Sequence, residues 1–273
     1  MNYFPKAWVN YIVLVTNFKY LPDYIDNIIN AAVLFQLIYV FSPHLLRILR
    51  PEYDTLSYSK RYGLKTTIVS QVHSLVALWI SFPLFFDKAL IDDHVLGVSK
   101  NAMIVCGFST GYFLWDAIIC IANVSSGGIA DVFHGVCCFI TFSSIYNPAL
   151  QYYLPRVLLY ELSTLFMNVY KVFNSTTYFP ETLKTINSML FAITFFVVRI
   201  VLGALFSLNV YYDLIVNRHR IPLWIIIFYF TNNIILNILN VFWFRKILHV
   251  ARKQLLKPKP QTKEEDSLKS KLQ

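Results

Sequence analysis

The segment 161–168 reads ELSTLFMN, and it places the carboxylate of Glu161 inside a long apolar run. A charged side chain at the centre of a bilayer costs about 2.5–3.5 kcal/mol on insertion scales. Glu161 is therefore expected to be paired, neutralised or turned toward a polar cavity. Four more polar side chains lie within or at the end of other apolar runs, each in a run of its own: His73, Asp116, His134 and Arg199. Their distribution predicts a polar interior shared by several membrane helices.

The apolar runs are long and numerous enough to predict a membrane protein. Hydrophobic residues make up 56% of the 273-residue chain, charged residues make up 14%, and the mean hydropathy is +0.52, outside the usual range of soluble domains. A helix needs about 20 apolar residues to cross roughly 30 Å of hydrocarbon, and backbone groups in lipid must be hydrogen-bonded within their own segment. The sequence therefore predicts an all-α membrane protein with seven transmembrane helices, at residues 25–46, 66–86, 101–122, 130–148, 151–172, 187–211 and 221–246.

Lys and Arg residues are concentrated on one side of these predicted helices. They cluster between the first two helices and after the last one, which are on the same side when the number of spans is odd. Because positively charged loops stay in the cytosol, we predict a luminal N-terminus and a cytosolic C-terminus. Topology and contact with anionic lipids then explain the net charge of +9. No nucleic-acid partner or cofactor is predicted, and the scattered histidines predict no metal site.

The last residues of the chain predict where the protein resides. Lys269 and Lys271 lie five and three positions from the C-terminus, which matches the dilysine retrieval pattern of the endoplasmic reticulum. We therefore predict a protein of the endoplasmic reticulum membrane whose tail is bound by COPI-type retrieval machinery. The tail, residues 251–273, has the polar composition of a disordered segment.

Five motifs in the apolar runs resemble those of one known family. They are SQVH at 70–73, GYFLWD at 111–116, ELSTLFMN at 161–168, FFVVR at 195–199 and LNVFWF at 239–244. Together they resemble the TLC-domain family, which includes ceramide synthases and translocon-associated TRAM proteins. The resemblance implies a bundle of six helices around a cavity, preceded by one extra helix. It divides the chain into an N-terminal segment with the first helix at 1–59, a TLC domain at 60–250 and the tail.

One departure from the family pattern concerns catalysis. Ceramide synthases carry two adjacent histidines on the span where this chain has His134 followed by Gly135. Glycine cannot transfer a proton, and the acidic segment that accompanies those histidines is also missing. The chain therefore resembles the branch of the family without synthase activity, whose members have no assigned activity.

Asp131 and His134 form the candidate catalytic pair. They are three residues apart, so they share one helical face with Cβ atoms about 5–6 Å apart. Asp131 is positioned to orient His134 as the general base of an N-acyl transfer from acyl-CoA to a lipid amine. In the alternative interpretation, Asp131 stabilises the positive start of its helix and His134 bonds a neighbouring carbonyl.

A second set of residues is predicted to line a lipid-binding cavity: His73, Tyr112, Asp116, Glu161, Asn168 and Arg199. Glu161 and Arg199 are also predicted to form an ion pair between the fifth and sixth spans, because two unpaired buried charges are costly. Asn233, Asn237 and Asn240 share one face of the last span and are predicted to hydrogen-bond to neighbouring helices.

Three functions follow from these interpretations. The leading one is a protein that binds, senses or handles a lipid in membrane homeostasis, with membrane lipids as its partners. The first alternative is an acyl-CoA-dependent N-acyltransferase similar to ceramide synthases, for which acyl-CoA is a substrate. The second alternative is a cargo-binding or translocon-associated membrane protein, in which the cavity has no role.

Overall fold

The computed structural model describes residues 5–16, 18–147 and 149–255. Within these ranges the chain forms helices, turns and loops, without a β-strand. The α-helices are α1 (Lys6–Thr16), α2 (Leu21–Leu49), α3 (Tyr58–Ser81), α4 (Lys88–Asp92), α5 (Lys100–Ala122), α6 (Val124–Gly127), α7 (Ile129–Ser144), α8 (Leu154–Leu158), α9 (Glu161–Asn174), α10 (Glu181–Phe195), α11 (Leu202–Val216) and α12 (Leu223–Leu255). Short 3-10 helices occupy Pro51–Thr55, Phe82–Phe86 and Gln151–Tyr153, and a π-helix at Phe196–Val201 joins α10 to α11.

Five helices of the described chain are long and apolar enough to cross a membrane. They are Leu21–Leu49, Tyr58–Phe86, Lys100–Ala122, Glu181–Val216 and Leu223–Arg252. These helices coincide with the first, second, third, sixth and seventh predicted spans. The predicted class, an all-α multi-pass membrane protein, is confirmed.

The two remaining predicted spans are shorter than expected. Helix α7 has 16 residues, which at 1.5 Å per residue is about 24 Å, less than the roughly 30 Å of a hydrocarbon core. The run 151–172 is not one regular helix. It is interrupted before α9, where the amides of Leu162 and Ser163 bond to carbonyls only three residues back, at 3.1 and 3.2 Å. The count of seven spans stays a prediction.

Helices α2 and α5 pack very closely because of Gly111. A Cβ atom at this position would collide with the carbonyl oxygen of Ile28 and lie 2.6 Å from the Cβ of Ala31. The contact is extended by Trp115 of α5, whose Nε1 donates to Gln36 Oε1 of α2 at 2.9 Å. A small residue at a membrane helix crossing allows this approach of the two backbones.

The asparagines of α12 hold it to neighbouring helices, as predicted. Asn237 Nδ2 donates to Ser207 Oγ at 2.9 Å, and Asn233 Oδ1 accepts from Tyr211 Oη at 2.7 Å. Ser207 and Tyr211 are one turn apart on α11, so the α11–α12 contact has two polar links. Such bonds satisfy amide groups that would otherwise lie unpaired in hydrocarbon.

We expect Gly111→Ala to lower the thermal stability of the detergent-solubilised protein by the equivalent of about 1–3 kcal/mol, because the added methyl overpacks the α2–α5 contact. Gly63→Ala is the matched control, since a Cβ at Gly63 of α3 meets no atom within 4 Å. The measurement is the unfolding midpoint of each variant against the parent. Equal midpoints for the two variants would contradict the close approach.

Candidate functional site

The helices enclose a cavity of about 760 Å³. Its walls come mainly from α3, α5, α7, α9, the α10–π-helix segment and α12, and they also include Arg50 and the α6 residues Ser126 and Gly127. Within the described residues, α2 contributes no side chain to the wall and packs outside the ring, against α5. The family resemblance implies six helices around a cavity with one helix outside them; the position of α2 agrees with this arrangement, and the number of helices stays a prediction.

Six of the eight predicted site residues line this cavity: Tyr112, Asp116, Asp131, His134, Glu161 and Arg199. The other two, His73 and Asn168, are buried immediately behind the wall. Asn168 Nδ2 donates to the hydroxyl of the wall residue Ser70 at 3.1 Å. His73 contacts the wall residues Tyr112 and Glu161. The structure therefore brings all eight residues to one region of the bundle.

Glu161 is held by α3 and by the start of its own helix. Its Oε2 accepts a hydrogen bond from Ser74 Oγ at 2.6 Å and lies 3.9 Å from Nδ1 of His73. The residue is in the first turn of α9, where the positive end of the helix dipole favours a carboxylate. The interruption before α9 thus has a consequence, because in a continuous helix Glu161 would lie in mid-helix without this stabilisation.

His73 forms the layer behind Glu161 and is fully buried. Its ring stacks on Tyr112, with centroids 3.8 Å apart and planes at 6°. Its Nε2 lies 3.4 Å from Ser109 Oγ. These contacts fix the orientation of His73, which in turn supports Tyr112 and Glu161 at the cavity wall.

Arg199 is presented to the cavity by the π-helix, a feature that occurs often at functional sites. Its guanidinium donates to Ser163 Oγ at 2.9 Å and to Thr164 Oγ1 at 3.0 Å, both on α9. Asn240 of α12 accepts a third, longer hydrogen bond of 3.5 Å. The predicted ion pair with Glu161 is wrong. The two hydroxyls that follow Glu161 on α9 bind the guanidinium, whereas the carboxylate points toward α3.

The candidate catalytic pair lines the cavity, but its two members do not contact each other. His134 packs edge-on against Trp243, with ring centroids 5.2 Å apart, and its Nδ1 lies 3.6 Å from Cys138 Sγ. The described structure has no hydrogen bond between His134 and Asp131, which is in the first turn of α7. The orienting role of Asp131 stays a prediction.

Neighbouring atoms pack closely around Gly135, the position at which ceramide synthases carry the second histidine. A Cβ atom here would lie 3.0 Å from Asp116 Oδ2 and 3.2 Å from Ala117 Cα. Helix α7 therefore approaches α5 over Gly135, and the Asp116 carboxylate occupies the space that a side chain would need. A side chain at this position would require Asp116 and α5 to move by a few tenths of an ångström.

Sequence reasoning missed four cationic residues at one end of the cavity: Arg50, Lys60, Lys171 and Lys246. They come from four places in the chain, and in the sequence they count only toward membrane orientation. The available signal was that all four lie on the side of the predicted helices that was assigned to the cytosol. The sequence does not show that these four residues line the same cavity, because they meet only in the folded bundle.

A second, smaller cavity of about 90 Å³ lies between α7, α8, α11 and α12. Its wall is mostly apolar and includes Tyr160 and Asn240. Arg199 separates the two cavities, since it lines the larger one and contacts both of these residues, with its guanidinium 5.9 Å from the Tyr160 ring centroid.

A comparison with protein families identifies the class. The model of the TLC domain matches residues 64–249. The chain therefore belongs to the TLC-domain family.

Relatives in distant eukaryotes are similar over most of their length. An uncharacterized TLC domain-containing protein of Schizosaccharomyces pombe is 29% identical over 234 residues, which cover 86% of this chain and 81% of that protein. Topoisomerase I damage affected protein 4 of Saccharomyces cerevisiae is 27% identical over 248 residues, 88% of each chain. TLC domain-containing protein 4 of Homo sapiens is 28% identical over 225 residues, 78% of this chain and 83% of that protein.

We expect Arg199→Lys to lower the thermal midpoint in detergent, because Arg199 uses three different nitrogens to reach Ser163, Thr164 and Asn240, whereas lysine has a single nitrogen and lacks this planar fork. Losing hydrogen bonds to a buried charge costs about 1.5–3 kcal/mol per bond lost. Arg245→Lys is the control, since Arg245 is exposed on the same helix as Asn240. An unchanged midpoint for Arg199→Lys would show that the three hydrogen bonds do not stabilise the fold.

Proposed function

We propose that this protein binds a membrane lipid in the larger cavity and in this way senses or handles lipids in membrane homeostasis. The observation that carries the proposal is the cavity of about 760 Å³ within a bundle of membrane-spanning helices. Its volume lies in the range of about 300–1,000 Å³ typical of ligand sites. A ligand that reaches a cavity in this position is most simply an amphiphile from the surrounding bilayer.

The polar wall supports a ligand with a polar headgroup. Glu161, Arg199, Asp116 and His134 converge on the same space, where each needs hydrogen-bonding partners in place of bulk water. A headgroup with donors and acceptors, together with water, supplies such partners.

The proposal includes a location and an orientation. The excess of Lys and Arg in the first loop and after α12 supports a cytosolic C-terminus and a luminal N-terminus. The dilysine pair, Lys269 and Lys271, lies outside the described residues, and it supports residence in the endoplasmic reticulum membrane with COPI-type retrieval.

Acyl-CoA-dependent N-acyl transfer is the second candidate function. It is favoured by His134, a potential general base that lines the cavity next to acidic side chains. It is disfavoured by Gly135, which cannot transfer a proton, and by the missing hydrogen bond between His134 and Asp131 within the described residues. Lipid binding without turnover requires neither a second histidine nor a hydrogen bond between Asp131 and His134.

Lipid binding is tested by filling the cavity. Gly63 lines it, and a Cβ added there meets no atom within 4 Å, so Gly63→Phe should occupy the space without disturbing the helices. Leu75→Phe, at an exposed position on the same helix, is the matched control. We expect the amount of lipid that co-purifies with Gly63→Phe, measured by native mass spectrometry, to be at least about five-fold lower than with the parent protein. The amount that co-purifies with Leu75→Phe should not change. Similar lipid content in the two variants would exclude the cavity as the binding site.

Acyl transfer is tested with labelled acyl-CoA and lipid amine acceptors, and the proposed binding function predicts no turnover. His44, an exposed residue of α2, provides the control variant His44→Ala. If turnover is lost in His134→Ala and retained in His44→Ala, catalysis and not lipid binding is the primary function. Turnover that survives in His134→Ala would exclude His134 as the base.

A further inference from the structure

The cations at the end of the cavity bear on the class of lipid, and this inference rests on the proposed function. Arg50 follows α2, Lys60 is in the first turn of α3, Lys171 is near the end of α9, and Lys246 is in α12. All four line one cavity although they come from four separate elements. We define these residues as the cationic rim.

The positive charges of the three rim lysines are not neutralised by ion pairs within the described residues. The Nε atom of Arg50 is buried without a hydrogen bond, and its nearest ion-pair contact, with Glu52, is at 3.9 Å. All three lysines are exposed residues that line the cavity.

Other cations at the same end of the bundle are already engaged. Arg47 donates to both carboxylate oxygens of Asp54, at 2.9 and 3.1 Å, and this contact holds the pKa of Asp54 below its usual range. Lys184 contacts Glu181 at 2.7 Å, and Lys65 lies 3.6 Å from the ring centroid of Tyr39. The rim lysines thus line the cavity without an ion pair within the described residues, although Lys246 Nζ lies 4.3 Å from the ring centroid of Phe242. Arg47 and Lys184, outside the cavity, each form an ion pair.

The acidic residues of the cavity orient a ligand. Asp116, Asp131 and Glu161 line the same space. Glu161 lies beside Ser74, more than three helical turns along α3 from Lys60. An anionic group is repelled by these carboxylates and attracted by the cationic rim. Phosphate is the anion of membrane amphiphiles, and several ammonium and guanidinium groups bind it through charge-assisted hydrogen bonds.

We propose that the cavity recognises a phosphate-bearing amphiphile, with its phosphate bound by the cationic rim and the rest of its headgroup directed toward Glu161 and Arg199. The phosphate has two plausible sources, a phospholipid headgroup or the nucleotide part of an acyl-CoA. The shared chemistry is the phosphate, and the experiment separates the two sources.

The test compares two lipids that differ only in the phosphate, dioleoyl phosphatidic acid and dioleoylglycerol, by equilibrium binding to the full-length protein in non-ionic detergent. We expect phosphatidic acid to bind at least about ten-fold more tightly, because the phosphate is the only group by which the two lipids differ and the cationic rim attracts it. A rim triple variant, Lys60→Gln, Lys171→Gln and Lys246→Gln, should lose this preference.

The control triple variant removes three cations from the same end of the bundle but outside the cavity: Lys65→Gln, Lys184→Gln and Arg245→Gln. This variant should keep the preference for phosphatidic acid, because its substitutions leave the cationic rim intact. It controls for a general attraction of anionic lipid to a basic surface. If both triple variants lose the preference equally, the cationic rim is not a site. Replacing the rim lysines by arginine should retain the preference, and Lys171→Gln alone should reduce it measurably if the triple variant does not fold.

The outcomes separate this inference from the proposed function. Equal affinity for the two lipids, abolished in both cases by Gly63→Phe, would refute phosphate recognition and leave lipid binding intact. Binding of neither lipid, nor of oleoyl-CoA, would refute both. Tighter binding of oleoyl-CoA than of phosphatidic acid assigns the phosphate to a soluble thioester, and the reverse order assigns it to a membrane lipid.

Discussion

The need to satisfy charged and polar groups inside a membrane shapes this bundle more than any other constraint. Glu161 is stable there because Ser74 donates to it at 2.6 Å, His73 lies behind it and the start of α9 supplies a positive dipole end. Arg199 is stable because two hydroxyls of α9 and an asparagine of α12 accept its hydrogen bonds. Two irregularities of the α-helical backbone position these side chains: the interruption before α9 precedes Glu161, and the π-helix before α11 contains Arg199.

A common cavity follows from this arrangement. The side chains that bind Glu161 and Arg199 belong to α3, α9 and α12, so the helices that satisfy the charges also surround them. Helix α2 contributes no charge to the centre and packs outside, where Gly111 allows it close to α5. The bundle is thus held by apolar packing on its outer side and by hydrogen bonds around a polar interior.

Membership of the TLC-domain family does not decide the activity, because function depends on the site grafted onto the fold. The site differs from that of the synthases at Gly135, where the Asp116 carboxylate and the α5 backbone occupy the space of a side chain. It also combines the Glu161 carboxylate, held beside Ser74, with the cationic rim in one cavity. This polarity matches an amphiphile with a charged group at one position better than it matches a proton-transfer pair.

The sequence alone determined the helical membrane class, the family and the set of polar residues at the centre, because hydropathy and motif composition are local properties of the chain. It also identified Asn233 and Asn237 as links to a neighbouring helix. Only the tertiary structure decided which groups meet: Glu161 binds Ser74 and not Arg199, and Lys60, Lys171 and Lys246 share one rim. Such pairings depend on the rotation, depth and breaks of helices relative to one another, which arise from packing between segments far apart in sequence.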